Sequence, residues 1–243
     1  MKIEQTKPVT ISDLWSGAES KVGQASHLEA AAQELATAIH SQFEESVVLA
    51  RVFFTVNFDD LPQSNQDFVN NLAKSAGADV DGATPVLSLL GTHGQEADWS
   101  DRRKSKGHVG IPLISAAFVD AIPMISRLLK ELGVPIDWVD RHESDLIQKS
   151  IGRKEGLFFV KDASQATDAQ NRKIIAAQDF VSQYGVKSVF GIGGAYPGGQ
   201  LVVIVCFCRD IFPREAAENF LPLVSLFKGK TTTLVDNGKI FKS

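Results

Sequence analysis

The segment that decides the fold runs from Val186 to Arg209: VKSVFGIGGAY (186–196), then PGG (197–199), then QLVVIVCFCR (200–209). Both flanks are rich in β-branched and aromatic residues, and the three residues between them are turn formers. The pattern reads as two strands closed into an antiparallel hairpin. Strand side chains alternate between faces, so Cys206 and Cys208 share one face of the second strand. Gly191-Ile192-Gly193-Gly194 superficially matches a phosphate-binding glycine loop. Such a loop needs a helix after it, and here a hairpin strand follows.

Upstream of the hairpin, Gly156 to Val160 (GLFFV) reads as a strand and Ile174 to Tyr184 as a short helix. Downstream, Pro213 opens a closing helix with Ala217, Phe220, Leu221, Val224 and Phe227 on one side and Pro222 as an internal kink. Nearer the N-terminus, Leu28, Ala31, Ala32, Leu35, Ile39 and Phe43 recur at helical spacing across 24–45. Ser46 to Phe58 (SVVLARVFFTVNF) is a buried strand, Leu61 to Gly77 a helix and Thr84 to Leu90 a second strand. Ile111 to Leu132 has the periodicity of one long core helix, with Pro123 kinking its interior. Gly133 to Gly152 is a polar connection with a short helix expected near Glu143 to Lys149. Residues 1–23 show too little periodic apolarity for an element and are expected to form an adaptable arm. A single domain then spans 24–230, followed by a tail over 231–243. The closing antiparallel hairpin excludes a doubly wound sheet, and the element order points to an α+β fold, an antiparallel sheet with helices on its faces.

The chain has 243 residues, 44% of them apolar and 22% charged, an ordinary globular composition with ample length for a core. A net charge of -4 and a pI near 5.8 argue against a strongly basic nucleic-acid-binding surface, so partners are expected among proteins and small molecules. The N-terminus lacks the basic and apolar regions of a secretory signal, and no apolar run approaches the length of a membrane span; a cytoplasmic location is expected. Two cysteines on one strand exclude a disulfide framework.

Ala177-Gln178-Asp179-Phe180-Val181, followed by Tyr184-Gly185-Val186-Lys187-Ser188-Val189-Phe190-Gly191-Ile192-Gly193, resembles the late part of GAF domains, sensory modules of the kind found in bacterial sensor kinases and cyclases. In that family a short helix precedes a strand written G-[VI]-x-S-[VF]-x-x-x-P, then a Gly-containing turn, an apolar strand and a closing helix. The resemblance is clearest over residues 153–230 and diffuse over 24–132. It implies a central sheet of about six antiparallel strands with helices on both faces, and a ligand cavity between the sheet and mid-chain segments. It also implies terminal helices that pair with another copy, giving a homodimer. GAF modules are commonly fused to an output domain, so the signal here is expected to leave through a separate output protein or through self-association. One departure is Gly193-Gly194 where the family usually has Pro, which places a difference at the expected pocket floor.

The polar loop 91–110 carries Arg102, Arg103, Lys104 and Lys106 with His93 and His108 on its flanks. Loops of this length inside a domain are often functional. Two readings stay open: a lid that attracts an anionic ligand, with Trp99 closing over it, or a solvated basic loop. His93 and His108 are of the type that ligates a metal or haem iron, but no Cys or carboxylate set at zinc-like spacing accompanies them, and ordinary hydrogen-bonded histidines are the alternative. Asp120 interrupts an apolar run and is expected either to face the pocket or to pair with a cation such as Arg102 or Arg103. The resemblance places Phe158, Phe159, Asp162, Gln178 and Phe180 where the family builds part of its cavity, with core packing as the other reading.

The leading expectation is a signal-sensing regulator that binds a small molecule and is not an enzyme. The runner-up follows from the same resemblance: some GAF proteins are methionine sulfoxide reductases working through cysteines, which would make Cys206 or Cys208 a redox thiol. A ligand-free scaffold for protein interaction is the third. No Gly-x-Ser-x-Gly, His-Glu-x-x-His or Cys-x-x-Cys motif occurs.

Overall fold

The computed structural model describes residues 1–105, 107–136, 138–141 and 155–242. Its strands are β1 (Val47–Asn57), β2 (Pro85–Gly94), β3 (Gly110–Pro112), β4 (Gly156–Val160), β5 (Ser188–Ala195) and β6 (Leu201–Cys208). Its helices are α1 (Pro8–Gln24), α2 (Leu28–Gln42), α3 (Gln63–Ser75), α4 (Ala116–Asp120), α5 (Pro123–Glu131), α6 (Trp138–Arg141), α7 (Gln178–Gln183), α8 (Arg214–Glu218) and α9 (Pro222–Asp236). The strands form one six-stranded sheet in the order β3-β2-β1-β6-β5-β4, antiparallel at each pairing. The hairpin is present, with Ala195 opposite Leu201 at its closed end.

Alternation along the strands sorts side chains into two cores. On β6, Val202, Ile204, Cys206 and Cys208 face one core, and Leu201, Val203 and Val205 face the other. The first core is covered by α1, α2 and α9. The second lies under α4, α5, α7 and the segments around them. Helices therefore sit on both faces of the sheet. Gly91 marks how closely one of them approaches: a Cβ there would lie 2.3 Å from the carbonyl oxygen of Ala32 on α2.

Several elements differ from their sequence reading, each for a local reason. Residues 8–24 form α1, burying Ile11, Leu14, Trp15, Ala18 and Val22 against α2 and α9. Pro8 occupies the first helical turn, where its missing N–H costs nothing. The apolar run 111–132 is broken into β3, α4 and α5, because Pro123 starts a helix instead of kinking one. Pro222 likewise opens α9 after the separate α8. β2 runs on through His93 to Gly94, shortening the expected loop. Only Gln178–Gln183 of the stretch 174–184 is helical. The tail is packed as well: carbonyls of Lys239 and Ile240 accept from the amides of Leu28 and Glu29, which have no partner within α2. The short helix expected near Glu143 to Lys149 lies outside the described residues.

No helix among the described residues is long and apolar enough to cross a membrane.

Candidate functional site

Between the second face of the sheet and the segments 96–108, 122–124 and 174–184 lies a cavity of about 1010 Å³. Leu49 and Arg51 of β1 and Phe207 of β6 form its floor, all on the same face by strand alternation. Ile122, Pro123 and Met124 make one wall, and Ile174, Ile175, Phe180 and Tyr184 another. The aromatic rings pack at an angle: Trp99 lies 4.7 Å from Tyr184, edge to face, and 5.8 Å from Phe180, tilted, while Phe180 lies 5.3 Å from Phe207, edge to face. Trp99 can reach the sheet because residue 94 is glycine. A Cβ at Gly94 would sit 2.6 Å from the Trp99 ring and 2.7 Å from the Val48 carbonyl oxygen.

Arg51 is the cation on this floor. Its Nη1 donates to the carbonyl of Gly107 at 3.2 Å and its Nη2 to Ser105 Oγ at 3.1 Å; its Nε is buried with no acceptor. No carboxylate pairs with it among the described residues. Burial lowers its pKa to about 10, which still leaves it charged at neutral pH. Thr92, its cross-strand neighbour, also has its hydroxyl buried without a partner. His108 stands at the solvent-exposed rim in a left-handed conformation (φ 55°). Partial desolvation, and then the Arg51 charge, lower its pKa from the ordinary histidine value, so the neutral ring is favoured. At the mouth, Lys104 pairs with Asp98 at 3.4 Å and Glu96 is exposed.

No family model matches the sequence, and no curated protein matches it. Solved structures do. The GAF domain of a phosphoenolpyruvate-protein phosphotransferase from Coxiella burnetii superposes with a TM-score of 0.50 at 12% identity, over 96% of this chain and 99% of that one. Free methionine-R-sulfoxide reductase from Neisseria meningitidis, solved in complex with its substrate, gives 0.53 at 11% identity, over 96% of this chain and 95% of that one. The chain has a GAF-like fold. At these identities the likeness concerns architecture alone.

Against that GAF-like frame, the residues singled out from the sequence separate into three groups. Trp99, Lys104, His108 and Phe180 come together on the cavity. Arg102 and Arg103 point away from it, to Glu29 at the start of α2. Arg102 meets Glu29 at 3.0 Å and 3.1 Å with both side chains buried, and Arg103 reaches the same carboxylate at 2.6 Å from the surface. The Arg102 guanidinium also lies 5.1 Å from the Phe241 ring, and the Lys242 amide donates to Glu29, so this cluster ties the loop to the tail. Burial raises the Glu29 pKa, but the hydrogen bond from Arg102, the Lys242 amide and the two arginine charges together bring it below the ordinary carboxylate value.

The remaining residues serve local structure. Asp120 accepts from Ser126 at 2.7 Å and pairs with Lys130 at 3.1 Å, both on α5, and not with Arg102 or Arg103. Asp162 accepts from Ser164 and the Gln165 amide in a turn. Gln178 donates to the carbonyls of Ala163 and Ile175. Phe159 packs on Phe212 in the core opposite the cavity, and Phe158 lies in the cavity-side core without lining the cavity. His93 sits on the α2 side, 5.0 Å from the His40 ring and 3.3 Å from Thr37 Oγ1, while His108 is on the opposite face. Lys106 lies outside the described residues. Gly193 and Gly194 abut Leu132 and Lys228, away from the cavity floor where the family comparison placed them.

Cys206 and Cys208 are free, fully buried thiols on the face covered by α1, α2 and α9, and burial pushes both pKa values up. Among the described residues no group of three or more His, Cys, Asp or Glu has the arrangement of a metal site. Sequence reading missed Arg51, and its signal was present: a lone charge inside the apolar run SVVLARVFFTVNF.

Proposed function

We propose that this chain is a signal-sensing regulatory domain that binds a small molecule in the cavity between the sheet and segments 96–108, 122–124 and 174–184. The observation that carries the reading is that cavity: about 1010 Å³, walled largely by aliphatic and aromatic side chains, with one charged group on its floor. Concave, mostly apolar hollows with a few convergent polar groups are the usual form of a small-molecule site. The GAF-like fold supports the regulatory assignment by analogy of architecture.

The route from site to output follows the Arg102 cluster. The covering loop contributes Trp99, Lys104 and Ser105 to the cavity, and two residues in the middle of it, Arg102 and Arg103, hold Glu29. Glu29 in turn fixes the tail that follows α9. A ligand that shifts the loop therefore acts on the start of α2 and the end of α9, the terminal-helix layer through which a homodimer or a separate output protein would read the state. Exposed Val9 on α1 and Leu226 on α9 lie on that layer. The thiol-based enzymatic alternative is disfavoured because Cys206 and Cys208 face the core on the side of the sheet away from the cavity.

Hydrogen exchange tests the reading. A molecule bound in the cavity is expected to slow exchange at residues 102–105 and to change it at 239–242. Protection confined to the cavity walls, with the tail unaffected, would refute the proposed route.

A further inference from the structure

Among the described residues, the partly buried Arg51 on the cavity floor has neutral partners only. Arg51 spends one Nη1 hydrogen on the Gly107 carbonyl and one Nη2 hydrogen on Ser105 Oγ, and neither acceptor carries charge. Its remaining donors include the buried Nε. Each Nη keeps one further hydrogen while the Nε is sealed from the cavity, so the guanidinium can still donate to the oxygens of a carboxylate or phosphate. The other charges at the site lie at the mouth, where Lys104 and Asp98 neutralise each other and Glu96 faces solvent. Among the described residues the floor is thus positive, and Glu96 leaves the mouth with a net negative charge. Between them stand the rings of Trp99, Phe180, Tyr184 and Phe207, surfaces suited to a flat apolar body.

We infer that the cavity selects small organic anions with an aromatic or otherwise flat apolar body, their carboxylate or phosphate on Arg51 and their body against the Trp99–Phe180–Tyr184 rings. This rests on the proposed ligand-binding role and specifies its chemistry. The anion site then lies inside the sheet, and not on the loop cations Arg102 and Arg103, which hold Glu29. The guanidinium's persistence as a cation under burial agrees with this role, because an incoming anion supplies the charge partner that the protein withholds.

The test uses three probes of one shape: 2-naphthoate, 2-naphthyl phosphate and the neutral 2-naphthamide, each titrated into the full chain and followed by NMR. At least one anion is expected to bind about tenfold or more tightly than the amide, the scale of a charge-assisted hydrogen bond. Which anion is preferred separates a carboxylate from a phosphate ligand. In Arg51→Met the preference is expected to vanish while amide binding persists, and Arg51→Lys, which keeps the cation, is expected to retain part of it. Equal binding of anion and amide by the unaltered protein would overturn the inference without any variant, leaving Arg51 as a staple for Ser105 and Gly107. So would a preference that survives Arg51→Met. Amide binding that Met124→Trp abolishes keeps the cavity reading even if the anion preference is absent. Failure of all three probes to bind would overturn both.

Discussion

Replacing Glu29 by alanine isolates the joint between the covering loop and the tail. The Glu29 and Arg102 side chains are 7% and 6% exposed, and they meet at 3.0 Å and 3.1 Å. Removing one partner of a buried ion pair typically costs about 3–5 kcal/mol, because the other charge is left without compensation. Arg102 keeps its hydrogen bond to Asn65 at 3.3 Å and its contact with the Phe241 ring, which places the expected loss near the lower end, about 3 kcal/mol. The Arg103 contact adds little, since that side chain is 54% exposed and screened. For a domain of this size about 3 kcal/mol lowers the melting temperature by roughly 6–12 °C. Urea and thermal unfolding measure it, and limited proteolysis reports whether residues 239–242 come free. Converting both partners, Glu29→Leu with Arg102→Met, is expected to recover part of the loss. The pH dependence has a definite sign. The Glu29 pKa is lowered in the folded protein, so its contribution is present above the unfolded value near 4.5 and is lost as pH falls through the folded value below that. A loss under about 1 kcal/mol in Glu29→Ala, with the tail still protected, would refute the claim that this pair joins loop and tail.

Gly94→Ala is expected to lose about 1–3 kcal/mol of stability and the near-ultraviolet circular dichroism of the Trp99–Tyr184 contact, because the new methyl meets backbone that cannot yield. An unchanged spectrum would show that Trp99 does not pack on the sheet there. Iodoacetamide is expected to leave Cys206 and Cys208 unmodified in the native protein and to alkylate both after unfolding. Rapid native alkylation would revive the redox reading.

Much of the fold was legible because burial imposes period. Five of the strands and α2, α3 and the start of the closing helix stand where alternation or three-and-four spacing placed them. The errors cluster at prolines. Pro123 and Pro222 were read inside helices, but a residue without an N–H fits best where a helix begins, and both prolines start one. In α1 the apolar positions 11, 14, 15, 18 and 22 carry the helical period, yet Pro8, Gly17 and Gly23 disguised it. The site was legible in part. Trp99, His108 and Phe180 were found because polar loops and family position drew attention to them. Arg102 and Arg103 look like ligand cations in one dimension, and only the fold brings Glu29, more than seventy residues away, into contact with them. Arg51 is the converse case, a lone charge inside an apolar run whose strand reading overshadows it although the contrast marks it out.

Native mass spectrometry of the chain purified from its own cells shows whether the cavity holds a small molecule. The unaltered protein is expected to carry extra mass that denaturation removes, and the same preparation of Met124→Trp, which adds bulk to the cavity wall, is expected to carry less of it. The same occupancy in the two proteins, whether both bare or both loaded, would show that no small molecule is held in the cavity.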